Sequence, residues 1–506
     1  MTRVLGRSQV ELTGGQGTPA TDGRPDRWRA AGARLLRRHW LAIILLSAGL
    51  VLRVLAQLAY RPALFYIDTT RYLYNAEGMD PVGYKGPLRA ILFVANFDAV
   101  AAVQHLIGLA MAVLIYVLLL RRGVSRWLAA LAIAPVLLDA YQVQSEQAIM
   151  PGTWFEALIV AGLALLLWRP RPGWRAVLAA GVVLGASATF AQVGEAMIVP
   201  GVIYLLAAGG GWRRAAGRAA AFCVAFALPI AAYCTVSYVV AGDFFLSHTG
   251  VTSFYGRAAA AADCATLRLP AAERGMCPTP AQQAKGPDWL EYEPGSPIRP
   301  YYSKLPRTET DSLISDFNHR VLTQQPQRLL GAYARDVGKL FALTRDTSPG
   351  DTPISRWQFQ ATFPYFSSHS TRADVAAEIA QYGGGTPAVW RPAAGFLRAY
   401  QLGGGYAPGP LLALCVITGL AGSVVLVRRR WRSDPVTRSL ALACLLFFAS
   451  GAFVLLVSDL FEFSWRYQLP ALVTLVPAGA LGIAVLARLV RPRAVPPDPD
   501  TLTRTP

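Results

Sequence analysis

Residues 98–122 read DAVAAVQHLIGLAMAVLIYVLLLRR, a largely apolar run that ends in two arginines. About 20 apolar residues suffice for a helix to span a bilayer. Similar runs recur along the chain, since 54% of the 506 residues are hydrophobic and only 15% are charged. Soluble domains contain about 25% charged residues. The composition therefore predicts an all-α polytopic membrane protein and excludes a disordered chain, a collagen or a small disulfide scaffold.

About ten segments are predicted to cross the membrane. They are residues 40–59, 98–120, 126–139, 150–168, 175–190, 196–209, 219–240, 408–427, 437–457 and 467–488. Every second loop between them is basic, as in the clusters that begin at Arg121, Arg169, Arg213, Arg428 and Arg488. Cytoplasmic loops of membrane proteins carry an excess of Lys and Arg. Both termini are therefore predicted to be cytoplasmic, and the loops rich in carboxylates are predicted to face outside.

The net charge of +18 comes from 48 Lys and Arg residues against 30 Asp and Glu residues. A strongly basic chain can indicate nucleic-acid binding. Here the basic residues lie in short clusters between apolar runs, which is the pattern of membrane topology. We therefore expect membrane lipids, and no nucleic acid, among the partners.

These patterns divide the chain into five parts. They are a disordered basic cytoplasmic tail (1–39), an amino-terminal transmembrane module (40–240), one large, mainly α-helical or irregular external region (241–407), carboxyl-terminal transmembrane helices (408–490) and a second disordered cytoplasmic tail (491–506). Cys264 and Cys277 lie in the external region, where disulfides persist. A bridge between them would stabilise the fold by about 3 kcal/mol in the chain-entropy model.

The first external loop is densest in candidate functional groups. Residues 65–92 read FYIDTTRYLYNAEGMDPVGYKGPLRAIL and contain Asp68, Arg71, Tyr72 and, at the start of a predicted interfacial helix, Lys85. A carboxylate can accept the proton of an attacking hydroxyl. A cation can stabilise a departing phosphate without a metal. The alternative is that these residues are ordinary loop charges.

Two further polar clusters are predicted on the same outer face. Asp139, Gln142 and Glu146 follow the third span. Their amide and carboxylate groups suit hydrogen bonding to a sugar. The alternative is that a short outer turn needs polar residues simply because it is exposed to water. Arg466 begins the last span, where it either extends to lipid headgroups or binds a lipid phosphate. Arg257 follows the seventh span and either faces the same cavity or belongs to a plain loop.

Soluble-enzyme signatures are absent from the sequence. It has no Walker loop, G-x-S-x-G, H-E-x-x-H or C-x-x-C motif, which disfavours an ATP-driven pump. No metal site is predicted and no cofactor is required, although a divalent metal stays possible.

In the order of its motifs, the chain resembles the multi-transmembrane C-type glycosyltransferases that use polyprenyl-phosphate sugars, among them the lipid A aminoarabinose transferases and the protein O-mannosyltransferases. The motifs are Asp68-x-x-Arg71-Tyr72, Lys85-Gly86-Pro87-Leu88 and Arg466-Tyr467-Gln468-Leu469-Pro470. The likeness covers residues 40–210 and, more loosely, 440–490. Two features depart from the family pattern. Thr69 follows Asp68 where some members have a second acid, and Met150-Pro151-Gly152 stands where some members have another Asp.

The resemblance implies a donor, an acceptor and a set of roles. Lys85 and Arg466, assisted by Arg71 or Arg257, would bind the phosphate of a polyprenyl-phosphate sugar, with mannose or arabinose as the sugar by analogy. Asp68 would accept the proton of the acceptor hydroxyl in an inverting transfer at the outer face of the cell membrane. Tyr72, Asp139, Gln142 and Glu146 would contact the sugar or the acceptor. The acceptor would be a cell-envelope glycan, lipid or protein.

Two other functions stay open from the sequence. A transporter or flippase for lipid-linked sugars would use the same cavity without chemistry, although no matching pair of Gly- or Pro-broken spans, a common mark of transporters, is present. A polymerase or ligase of preassembled lipid-linked glycans would also use arginines on the outer face.

Overall fold

The computed structural model describes residues 24–74, 81–366, 370–427 and 434–490 and is almost entirely helical. The helices and strand of the amino-terminal half are α1 (Arg24–Ala59), β1 (Tyr60–Arg61), α2 (Thr69–Leu73), α3 (Lys85–Val94), α4 (Phe97–Arg121), α5 (Arg126–Leu138), α6 (Ala140–Gln147), α7 (Gly152–Leu167), α8 (Trp174–Ala188), α9 (Ile198–Ala208) and α10 (Trp212–Ala241). The predicted first external loop thus contains α2 and α3.

The external region and the carboxyl-terminal helices complete the fold. Their elements are α11 (Gly250–Ala261), α12 (Pro280–Gln283), α13 (Gly286–Tyr292), α14 (Arg299–Lys304), α15 (Arg307–Gln324), α16 (Pro326–Lys339), α17 (Arg372–Tyr382), β2 (Ala388–Val389), α18 (Arg391–Leu402), α19 (Gly409–Val424), α20 (Pro435–Ser458) and α21 (Leu469–Val490). Short 3₁₀ helices occur at Gln192–Met197, Arg274–Met276, Ile354–Trp357, Val425–Val427 and Trp465–Gln468.

Every predicted span coincides with a helix, but not every helix is long enough to cross a bilayer alone. Within the described ranges, six helices are long and apolar enough: Leu36–Ala59, α4, α10, Gly409–Val427, α20 and Trp465–Val490. The pair α5 and α6, bent by 50°, adds a seventh if it is one span. The segments α7, α8 and Gln192–Ala208 are apolar but short. The chain is therefore a multi-pass membrane protein, and the predicted count of ten spans is not confirmed.

The amino-terminal tail needs a correction. Residues 1–39 are predicted to be disordered, yet α1 begins at Arg24 and reaches the first span through a single non-helical residue, His39. The Ala-, Leu- and Arg-rich sequence of this stretch has high helix propensity. Residues 1–23, the basic cluster 428–432 and the predicted tail 491–506 lie outside the described residues.

Small residues let the membrane helices approach closely. A Cβ atom added at Gly185 of α8 would collide with the carbonyl oxygen of Phe226 in α10, and one added at Gly482 of α21 would collide with that of Thr418 in α19. Helices in lipid associate through such close backbone contacts, because hydrophobic burial gives little drive there.

The chain that follows α1 is fixed to the end of α6. Leu64 donates its N–H to the carbonyl of Gln147 at 3.0 Å, and Ile149 donates to the carbonyl of Leu64 at 2.9 Å. Strands β1 and β2 pair antiparallel, with Tyr60 opposite Val389. These bonds join the first external loop, the α6 turn and the external region at one end of the helices.

Candidate active site

Asp68 stands directly before α2, and its neighbour Thr69 fixes the local backbone. The Thr69 hydroxyl accepts a hydrogen bond from the Tyr66 N–H at 2.8 Å and donates one to the carbonyl of Ile149 at 3.2 Å. Thr69 is fully buried. Thr69 therefore anchors the loop that carries Asp68.

Two arginines flank the Asp68 carboxylate. Arg71 Nη2 donates to Asp68 Oδ1 at 3.0 Å, and Arg466 Nη1 lies 3.7 Å from Asp68 Oδ2. The Arg466 guanidinium also lies 4.9 Å from the ring centre of Trp357 and 6.0 Å from that of Tyr66. Stacking of this kind holds a planar cation in one orientation. The fold thus brings together three of the residues predicted for catalysis and phosphate binding.

A cavity of about 870 Å³ opens over this ion cluster. It is lined by residues of the first external loop, the external region and the last external loop. They include Tyr66, Asp68, Arg71, Asp288, Glu291, Arg356, Trp357, Glu462, Arg466 and Tyr467. Its walls carry guanidinium, carboxylate and aromatic groups, which suits a ligand with an anionic group and hydroxyls.

Carboxyl groups from the external region and the last external loop face the cavity. Burial raises the pKa of Glu291 to about 8, against the hydrogen bond that Ser253 donates to it at 2.5 Å. Burial and the nearby charge of Asp288 raise the pKa of Glu462 to about 7. Asp288 itself lies 3.5 Å from Arg356. Perturbed carboxyls in a cleft are typical of functional sites.

A second cavity of about 590 Å³ adjoins the first. The two cavities share Tyr66 and Arg356 as lining residues. The second is lined further by Gln144, by the amides Gln358 and Gln360, and by aromatic rings such as Phe363 and Tyr365. Amides and aromatic faces suit a ligand that carries hydroxyl groups and apolar ring faces.

Tyr72 and Lys85 do not line either cavity. Tyr72 is buried and packs edge-to-face on Tyr84 at 5.3 Å between ring centres. Lys85 is the first residue of α3. The role of Tyr72 in sugar contact is not supported by this position, and donor binding by Lys85 stays a prediction.

The predicted sugar-binding cluster of α6 is instead a buried polar network. Asp139 caps α6 by accepting the Tyr141 N–H at 2.9 Å, and it pairs with Arg345 at 3.0 Å. Glu146 pairs with Arg53 at 2.7 Å, and its other oxygen lies 3.0 Å from His105 Nδ1.

Gln142 completes this network. It donates to Glu156 at 2.8 Å and to Glu146 at 3.3 Å. Asp139, Gln142 and Glu146 are each at most 1% exposed. Protein groups engage their side-chain polar atoms, except Gln142 Oε1, which is buried without a hydrogen-bond partner among the described residues. The expectation that they contact sugar is corrected accordingly. Their neighbour Gln144 does reach a cavity.

Arg257 is also engaged away from the cavity. It forms a 2.5 Å ion pair with Asp336 of α16 and donates to the backbone carbonyl of Asp459 at 3.0 Å. It therefore ties the external region to the carboxyl-terminal end of α20, and we do not retain it among the phosphate-binding residues.

Cys264 and Cys277 form a disulfide, with their Cα atoms 5.9 Å apart. It lies beside a second apolar core built from residues such as Tyr255, Ile314 and Phe317. Among the described residues, no three His, Cys, Asp or Glu side chains converge as metal ligands.

Sequence reasoning did not single out the residues by which the external region lines the site. Trp357 and Arg356 belong to the stretch Arg356-Trp357-Gln358-Phe359, and Asp288 precedes Trp289. A basic and aromatic pair in a segment without clear periodicity is a signal of a binding loop. Nothing in the sequence showed that this segment, nearly three hundred residues after Asp68, packs against it.

Comparison with known proteins gives two similar solved structures. One is the S. cerevisiae protein O-mannosyltransferase Pmt1-Pmt2 complex bound to its sugar donor, at 16% identity and a TM-score of 0.32, over 44% of this chain and 36% of that one. The other is the archaeal oligosaccharyltransferase AglB from Archaeoglobus fulgidus in complex with an inhibitory peptide and a dolichol-phosphate, at 12% identity and a TM-score of 0.41, over 90% of this chain and 51% of that one.

The chain thus spans about a third and about half of these two proteins. No family model matches the sequence, and no curated protein matches it.

Proposed function

We propose that this chain is a membrane glycosyltransferase that moves a sugar from a polyprenyl-phosphate carrier to an acceptor hydroxyl at the outer face of the cell membrane. The observation that carries the proposal is the position of Asp68 between Arg71 and Arg466 in a cavity of about 870 Å³. A proton acceptor beside two phosphate-binding cations is the set of groups that such a transfer needs.

The reaction is a displacement at the anomeric carbon. The acceptor oxygen attacks that carbon, the bond to the phosphate oxygen breaks with its electron pair, and the acceptor proton passes to Asp68. The attack comes from the side opposite the leaving phosphate, so the configuration inverts. Arg71 and Arg466 stabilise the charge that grows on the leaving phosphate. These two guanidinium groups supply the positive charge, so the step requires no cofactor.

In this proposal each substrate occupies one of the two cavities. The donor phosphate occupies the larger cavity at Arg466, and the acceptor enters through the adjoining one. Tyr66 and Arg356, which line both cavities, stand where the two substrates meet. Lys85, the first residue of α3, does not line either cavity and has no role in this division of the substrates.

A transfer assay tests the proposal. Purified protein in detergent with bacterial membrane lipids receives radiolabelled polyprenyl-phosphate mannose or, separately, polyprenyl-phosphate arabinose. We expect label to move to a membrane acceptor, and the Asp68→Asn variant to transfer it about 10²–10⁴-fold more slowly, as for loss of a general base. Asp316→Asn, on the exposed face of α15, is the matched control and should keep full activity.

The same assay separates the other two functions. Donor binding without transfer by either form of the protein would favour a lipid-linked sugar transporter. Use of a preassembled oligosaccharide carrier in preference to single-sugar carriers would favour a polymerase or ligase. Full transfer activity in Asp68→Asn would contradict the role of this carboxylate.

A further inference from the structure

Glu462 lies in the last external loop, between α20 and α21, and lines the larger cavity. The Tyr467 hydroxyl donates a hydrogen bond to Glu462 Oε1 at 2.7 Å and accepts one from Arg466 Nη2 at 3.4 Å. Within the described part of the chain, Glu462 Oε2 is buried and has no hydrogen-bond partner. One oxygen of this carboxyl is therefore linked to the arginine that pairs with Asp68, and the other is unsatisfied.

Charges of both signs surround Glu462. The charges of Asp288 and Glu291 of α13 and of Asp68 in the first external loop act on it, whereas Arg466 supplies positive charge and Tyr292 and Tyr467 are neutral. The same cavity is also lined by Arg71, Arg356 and His248. A buried carboxylate oxygen without a partner is costly. Protonation removes this cost, and it converts the carboxyl into a hydrogen-bond donor. A donor at this place suits an incoming phosphate, while a second negative charge would repel it.

We propose that protonated Glu462 donates a hydrogen bond from Oε2 to the phosphate of the lipid-linked donor and passes its proton to that phosphate as it leaves. This inference rests on the proposed glycosyl transfer. It adds a proton donor on the leaving-group side to the proton acceptor, Asp68, on the acceptor side.

The step balances in atoms and charge. The sugar–phosphate oxygen bond breaks, and its electron pair stays on the phosphate. The phosphate takes one proton from Glu462, while Asp68 takes one from the acceptor hydroxyl. The two carboxyls then exchange protons with water to restore their starting states. The net result is that the acceptor proton ends on the lipid monophosphate.

The proposal predicts a pH dependence of donor binding that the donor itself cannot cause. A polyprenyl-phosphate sugar is a phosphodiester and does not titrate near neutral pH. With the pKa of Glu462 raised to about 7 by burial and by the Asp288 charge, the protonated fraction falls about tenfold for each pH unit above that value. We expect the Kd of the wild-type protein for polyprenyl-phosphate mannose to rise in the same range, reaching several-fold to tenfold between pH 6 and pH 8.

Three variants test this expectation in the full-length protein, without acceptor. Glu462→Gln keeps an N–H donor but does not titrate, so its Kd should stay near the acidic wild-type value at every pH. Glu462→Ala should bind weakly throughout. Glu291→Gln tests whether the pH dependence belongs instead to Glu291, which lines the same cavity, has a raised pKa and accepts a hydrogen bond from Ser253. Because it removes a carboxyl whose charge acts on Glu462, this variant should keep a pH dependence that is displaced to lower pH. Asp316→Asn, on the exposed face of α15, is the matched control and should keep the wild-type pH dependence.

Two results would overturn the proposal. One is a Glu462→Gln protein with an unchanged pH dependence, and the other is a Glu462→Gln protein that no longer binds at pH 6 while its thermal stability is normal. Loss of the pH dependence in Glu291→Gln would show that the dependence arises from Glu291 and not from Glu462. Donor binding is measured apart from transfer, so a protein that binds in the expected manner but transfers no sugar would refute the glycosyltransferase function instead. Absence of donor binding at any pH would refute both.

Discussion

Replacing Glu146 by Ala tests whether this residue supports the fold or contacts the substrate. Arg53 and Glu146 are 1% and 0% exposed and form a 2.7 Å ion pair between α1 and α6. Removing one partner of a buried ion pair costs about 3–5 kcal/mol, because the other charge stays buried and unpaired. Arg53 would keep its hydrogen bonds to the carbonyls of Gly49, Val136 and Leu137. We therefore expect the free energy of unfolding to fall by about 3 kcal/mol, the lower end of that range.

The measurement is equilibrium unfolding by titration with SDS in mixed micelles, followed by tryptophan fluorescence. The double variant Arg53→Met/Glu146→Met removes both charges and fills both sites with apolar side chains, so it should be more stable than Glu146→Ala. It should stay less stable than the wild type, because His105 and Gln142 lose a hydrogen-bond partner. Once folded, Glu146→Ala should keep the wild-type KM for the acceptor. A variant as stable as the wild type with a raised acceptor KM would refute this reasoning and return Glu146 to the substrate site.

Two further predictions concern the external region. Replacing Cys264 and Cys277 by Ser removes a disulfide that spans a sequence separation of 13. This should lower the free energy of unfolding by about 3 kcal/mol and speed limited proteolysis of the external region. The control Cys223→Ser, at a free cysteine, should change neither, and equal proteolysis rates in the two variants would contradict the prediction. Burial raises the pKa values of Glu291 and Glu378 to about 8 in the folded chain, from an ordinary value of 4.5. Their stability contribution is therefore full below about pH 4.5 and is lost as the pH rises toward 8. We expect the unfolding temperature to fall between pH 5 and pH 8, and to fall less in Glu291→Gln; a rise over this range would show that these carboxyls do not control the pH dependence.

The sequence alone determined the membrane class and the positions of the helices. Long apolar runs can satisfy their backbone polar groups in lipid only as helices, so each predicted span has a helix in the structure. It also singled out Asp68 and Arg71, because they lie in the predicted outer loop that is densest in functional groups, and Arg466, because it is an arginine at the predicted outer start of the last span. The number of membrane crossings could not be predicted from composition, because α7 and α8 are apolar but short for a span.

Only the tertiary structure decided which polar residues face the cavity. Asp139, Gln142 and Glu146 read like binding residues in the sequence, yet Arg345, Glu156 and Arg53 engage them in the interior. Conversely, Trp357 and Asp288 became site residues because the external region packs over the first loop. The physical reason is that a hydrogen bond or ion pair depends on distance in space. Local pattern fixes whether a segment is a helix, but it carries no information on which partner, some two hundred residues away, will lie 3 Å from a given side chain.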